Sequence, residues 1–147
     1  MSGVDYDDPD VERRWCETTR RQVARYLETE AVPHGQIGAW PAWHVAPHVS
    51  VWAVESQARP GWVGWWVICG DMPTDYMSAD GIKHPREAVR AIASRWRRYC
   101  AAVRDGAPPA EFEVRGVAES PELVALLESR AETLAKWAGD DSIWEGV

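Results

Sequence analysis

Four side chains able to move protons or hold a polar ligand fall close together in the run Gly70-Asp71-Met72-Pro73-Thr74-Asp75-Tyr76. Two neighbouring carboxylates in a partly dry site push their pKa values apart, so Asp71 and Asp75 could serve as general acid and base. The phenol of Tyr76 and the imidazole of His44 would assist them. The same residue types also make turns. Asp and Thr fold their side chains onto nearby backbone N–H groups, and Pro73 favours that outcome, so the run is expected to be a loop. The candidate catalytic residues are therefore Asp71, Asp75 and Tyr76.

The second unusual feature is an inventory of ten tryptophans against one phenylalanine. A buried indole hides about 150–250 Å² but needs an acceptor for its N–H, so packing ten into one small core is awkward. Some of the rings are expected to line a pocket or an interface. Trp15, Trp96 and Trp137 fall on the apolar faces of helical segments and read as core. Trp40, Trp43, Trp62, Trp65 and Trp66 lie in a strand-and-loop region, where packing and ligand contact are equally expected. The candidate binding set is Trp43, Trp65, Trp66, Asp71, Thr74, Asp75, Tyr76 and Arg130. Arg130 enters because it sits inside an apolar arc with Leu126, Leu127 and Leu134, where an unpaired charge is costly. An acidic partner, Asp71 or Asp75, is expected for it.

Other chemistries find little support. His44 and His48 are four apart, but Pro47 between them prevents a shared helix face, and no HExxH pattern occurs, so no metal is expected. P-loop, GxSxG and dinucleotide fingerprints are absent, and no cofactor is expected. Three cysteines, Cys16, Cys69 and Cys100, are odd in number and form no CxxC pair, which points to reduced, buried thiols.

The elements that must position these residues can be read from periodicity. Asp8 followed by Pro9 opens a helix to about Glu30, with Val11, Trp15, Thr19, Val23, Tyr26 and Leu27 on one side. From residue 37 to 70 the period becomes two, and Arg59-Pro60-Gly61 turns one strand into the next as a hairpin. In the second of these strands, Trp66 and Ile68 face one way and Trp65, Val67 and Cys69 the other. Such a strand is central, or open to a partner on one side. Residues 37–45 add an edge strand, since Pro41 excludes a central one. Phe112 and Val114, alternating with charges, suggest a second edge. Pro85 starts a helix to about Asp105, and Ser120-Pro121 opens the last one, with Leu123, Leu127, Leu134 and Ala138 inward and Gly139 as its stop. The fold class is α+β, an antiparallel sheet of three to four strands packed by two long helices, with a C-terminal helix. Residues 1–147 read as one domain, and 1–8 as extended or disordered.

A chain of 147 residues with 46% hydrophobic and 27% charged residues suits one soluble core. Its longest apolar stretch, 62–69, is far short of the roughly 20 residues needed to cross a bilayer, and the acidic start is unlike a secretory signal. A cytoplasmic location without membrane contact is expected. The net charge of -7 disfavours nucleic-acid binding. It is also polarised: residues 82–106 hold seven basic and two acidic side chains, and 107–147 hold three basic and nine acidic. The acidic segment is expected to lie against the basic helix, whose Arg86, Arg90, Arg97 and Arg104 form a stripe beside its apolar arc.

The run Gly64-Trp65-Trp66-Val67-Ile68-Cys69-Gly70-Asp71-Met72-Pro73-Thr74-Asp75-Tyr76, followed by His84-Pro85-Arg86-Glu87-Ala88, resembles the signature of a family of uncharacterised bacterial proteins defined as a domain of unknown function. The resemblance spans residues 15–99 and takes in Pro41-Ala42-Trp43 and Ala46-Pro47. Cys69 departs from it, standing where a small residue such as serine is expected. The resemblance implies no activity. Two functions follow from the residues. One is a binding protein that holds a protein or small ligand on its tryptophan surface and the 71–76 loop, an acidic domain being suited to a basic partner such as a toxin. The other is a hydrolase or transferase using Asp71 and Asp75.

Overall fold

The computed structural model describes residues 3–106 and 120–147. The expected strand at Phe112 and Val114 lies outside them. The elements run α1 (Pro9–Thr29), β1 (Trp43–Val45), β2 (Val49–Glu55), β3 (Val63–Gly70), β4 (Met72–Ser78), α2 (Pro85–Arg104) and α3 (Pro121–Ala138), followed by a 3-10 turn at Asp141–Trp144. The chain is α+β. It divides into two units, Met1–Pro85 and Arg86–Val147.

In the first unit, Asp8 caps α1 by accepting the Asp10 N–H at 2.9 Å, and Pro9 occupies the first turn, where its missing N–H costs nothing. The buried side of α1 is Cys16, Thr19, Val23 and Leu27, and the helix packs on β2 and β3. Its outer side carries the ion pairs of Arg13 with Asp10 and Glu17. Arg20 reaches from α1 to the carbonyls of Ile37 and Gly38, both at 2.9 Å, and so ties down the segment leading to β1.

The four strands lie in the order β1-β2-β3-β4, each antiparallel to the next. β3, apolar on both faces, is interior, and Trp66, Val67, Ile68 and Cys69 are all buried. On the α1 side, Trp52, Val54, Val67 and Cys69 join Val23, Leu27 and Val32 in one cluster, with Tyr26, Ile37, Trp65 and Tyr76 at its margin. Each fully buried aliphatic side chain there contributes about 1.5–3 kcal/mol. Trp52 is sealed inside, and its N–H donates to Ser50 Oγ at 2.9 Å, which in turn donates to the Cys69 carbonyl at 3.2 Å.

The expected loop at 71–76 is a correction: apart from Asp71 at its bend, it forms strand β4. The physical reason is position. β4 is an edge, so Pro73 removes no hydrogen bond from an interior ladder. A shift in register between Ile68 and Gly70 also sets Cys69 against both Pro73 and Thr74, a bulge that absorbs the extra residue.

In the second unit, Ser120 caps α3 by accepting the Leu123 N–H at 3.3 Å, and Gly139 ends it. The inward residues are Val124, Leu127, Ala131, Leu134 and Ala138; Leu127, Leu134 and Ala138 are as expected, whereas in the first turn Val124 is buried and Leu123 exposed. The basic stripe meets the acidic segment as expected. Arg86 Nε and Arg90 Nη2 both donate to the Ala138 carbonyl, at 2.7 and 3.0 Å, and so satisfy an acceptor at the end of α3. Arg86 also pairs with Asp141 at 2.6 Å, and Arg104 pairs with Glu128.

Gly70 has φ +143, and a Cβ there would stand 2.5 Å from the His48 carbonyl oxygen. Gly70→Ala is expected to lower stability by about 2–4 kcal/mol, through backbone strain and displacement of the His48 turn, measured as a drop in the urea midpoint.

Candidate functional site

A groove of about 780 Å³ opens at the start of β3. Register explains its shape. At this end β3 runs between the end of β2, where Glu55 pairs with Val63, and the end of β4, where Ser78 pairs with Trp65. One wall is therefore the β2–β3 connection, with Ser56, Gln57, Ala58, Arg59 and Trp62. The other is the segment after β4, from Ser78 through Asp80 to Lys83. Gly64, Trp65 and Trp66 lie between, with Pro33 at one side.

Its indoles hold the walls together. Trp66 Nε1 donates to the Ile82 carbonyl at 2.8 Å, and Trp65 Nε1 to the Pro33 carbonyl at 3.1 Å. Their polar tips are thus satisfied within the protein; being consecutive on β3, the two rings take opposite faces of the sheet, with Trp66 buried and Trp65 at the margin of the α1-side cluster. Trp62 is 60% exposed, with the Arg59 guanidinium 4.3 Å from its ring centroid. That stacking is a cation–π contact. Gly64 permits the close approach of β3 to the connection, since a Cβ there would lie 2.7 Å from Ser56 Cα. Glu55 secures the connection from outside: its two carboxylate oxygens accept the N–H groups of Gln36 at 2.9 Å and Gly61 at 2.8 Å. These bonds, led by that from Gln36, hold its carboxyl below the usual carboxylate range.

A second, smaller cleft of about 420 Å³ lies at the other end of β3, lined by Tyr6, Trp15, Thr18, Thr19, Gln22, Pro47, His48, Gly70 and Asp71. The Asp71 N–H donates to the His48 carbonyl at 2.9 Å, so the bend after β3 is fixed to the β1–β2 turn. Nearby, His44 Nε2 pairs with Glu12 at 2.8 Å, its ring centroid 6.2 Å from Trp15 and 5.5 Å from Trp40.

The sequence-derived residues thus separate. Trp65 and Trp66 enter the groove, and exposed Asp71 enters the second cleft. Trp43 is buried on β1. Asp75 and Tyr76 are consecutive on β4, opposite Ile68 and Val67, so their side chains take opposite faces of the sheet. Asp75 is buried and accepts the Tyr76 N–H at 2.8 Å. The Tyr76 ring meets the edges of Tyr26 and Trp65. Arg130 is half-buried on α3, in the second unit. Thr74 sits in the bulge, where its side chain hydrogen-bonds the Cys69 sulfur. Cys69 Sγ also donates to Gln22 Oε1 at 2.9 Å. Burial pushes this thiol up to about 11, against the opposing pull of Thr74 and Ser50. All three cysteines are free and buried. Among the described residues no cluster of His, Cys, Asp and Glu is placed to hold a metal ion, and no helix is long and apolar enough to cross a membrane.

Sequence reasoning missed Arg59, Lys83 and Glu55 as parts of a site. The available signal was the turn Arg59-Pro60-Gly61-Trp62, which sets a large indole at a hairpin tip where little can cover it.

A family model described as "Domain of unknown function (DUF4826)" matches residues 10–144. The chain belongs to this family. No curated protein and no solved structure matches it. The DUF4826 match takes in every residue of the groove, and of the second cleft all but Tyr6.

Two outcomes follow. Glu55 has a depressed pKa when folded, so its contribution to stability is present above the ordinary value of 4.5 and is lost as pH falls through the lower folded value. Glu55→Gln should melt below the wild type at neutral pH, and the gap in Tm should close under acid conditions. Cys16 and Cys69 are both pushed up to about 11, chiefly by burial. At pH 8 only about one in a thousand of either is thiolate, so iodoacetamide should leave both unmodified in the native protein and label them in denaturant.

Proposed function

We propose that this chain is a binding protein of the bacterial cytoplasm that captures a small ligand in the groove beside Trp62, at the start of β3. The observation that carries this reading is Trp62, an indole left 60% exposed in the lining of the groove. Leaving so much aromatic surface in water forgoes stabilisation that a ligand would recover. The volume of about 780 Å³ lies inside the roughly 300–1,000 Å³ range of small-molecule sites, which favours a small ligand over a protein. The acidic character of the chain, suited to a basic partner, does not extend to the groove rim, where Arg59 and Lys83 face a single Asp80.

An acid–base mechanism has less behind it. It requires polar groups that converge on one reacting atom. Asp75 and Tyr76 take opposite faces of β4, and Asp71 stands at the far end of β3 from the groove.

A fragment library screened by ligand-observed NMR tests the reading. Fragments that bind the wild type should lose about tenfold or more in affinity with Trp62→Ala and keep it with Asp71→Asn. If no bound fragment depends on Trp62, the groove is not the site; dependence on Asp71 instead would favour acid–base chemistry.

A further inference from the structure

We infer that the groove selects a planar apolar ligand carrying a carboxylate, an aromatic acid in the simplest case. This deepens the binding reading above and rests on it. Two observations carry it. The rim supplies two cations, Arg59 on one wall and Lys83 on the other, against one carboxylate, Asp80. Arg59 is held over Trp62 at 4.3 Å, so its planar fork is positioned before a ligand arrives, and less side-chain freedom is lost on pairing with a carboxylate.

The same geometry argues against the commonest use of clustered indoles, capture of an organic cation. The ring face such a ligand would take on Trp62 already carries a guanidinium, which it would have to displace. A neutral polar ligand is also poorly matched, because the N–H groups of Trp65 and Trp66 are committed to Pro33 and Ile82. What the groove offers a ligand is the exposed Trp62 ring, with Arg59 and Lys83 against one carboxylate, Asp80, in its lining.

The test compares three ligands of one shape on the full chain by calorimetry: phenylacetate, 2-phenylacetamide and phenethylammonium. Phenylacetate should bind about tenfold more tightly than the amide, and the ammonium most weakly. Its advantage should shrink between about 50 and about 500 mM NaCl, as expected for exposed charge pairs. Lys83→Gln, which leaves the Arg59–Trp62 stack untouched, should cut the advantage of phenylacetate over the amide by about threefold. Arg59→Gln should remove more of it, and circular dichroism would show that both variants remain folded. Binding of the amide or the ammonium as tightly as phenylacetate, but still lost in Trp62→Ala, overturns the charge inference and leaves the groove standing. Absence of Trp62-dependent binding by all three also overturns it, and the wider fragment screen then decides the groove itself.

Discussion

A strand with apolar side chains on both faces has one stable place in a small sheet, the interior, and β3 imposes that constraint on everything around it. It needs a partner along each edge, and the β2–β3 and β3–β4 hairpins provide them. With its middle residues buried, its accessible parts are its two ends. Both clefts lie there: the indole groove where β3 begins and the polar cleft with Asp71 where it stops. A single run of sequence thereby supplies parts of both, about seven residues apart along one extended segment, or about 20 Å.

The tryptophan inventory is resolved by its hydrogen bonds. Trp52 gives its N–H to Ser50, Trp144 to the Trp137 carbonyl, Trp65 to Pro33 and Trp66 to Ile82. A phenylalanine could fill similar volume but could not tie a wall segment to a strand, which explains why indoles replace phenyl rings around the groove. Trp62 differs from these four. It is exposed, and the contact that orients it is Arg59 stacked on its face. Four of the ten indoles thus act as fasteners through their N–H groups, whereas Trp62 presents its ring at the surface.

The charge pattern divides in a similar way. Within the second unit Arg86, Arg90 and Arg104 of the stripe end on the Ala138 carbonyl, Asp141 and Glu128, and so tie α2 to α3 and the turn after it. The cations that line the groove are Arg59 and Lys83, which stand far apart in sequence and are brought to one place by the fold.

By itself the sequence determined the local elements: the caps at Asp8 and Ser120, the hairpin through Arg59-Pro60-Gly61, the two-faced strand and the reduced thiols. Each depends on neighbours a few residues away, and short-range sterics and hydrogen bonding settle such features. Only the tertiary structure decided that Thr74 to Tyr76 belong to an edge strand, with Asp75 and Tyr76 on opposite faces. A one-residue bulge opposite Cys69 sets which side chain turns to which face, and the pairing that creates it joins residues on different strands. The groove likewise exists because strand register brings residues 56–62 and 78–83 to either side of β3, a juxtaposition that periodicity along the chain does not encode.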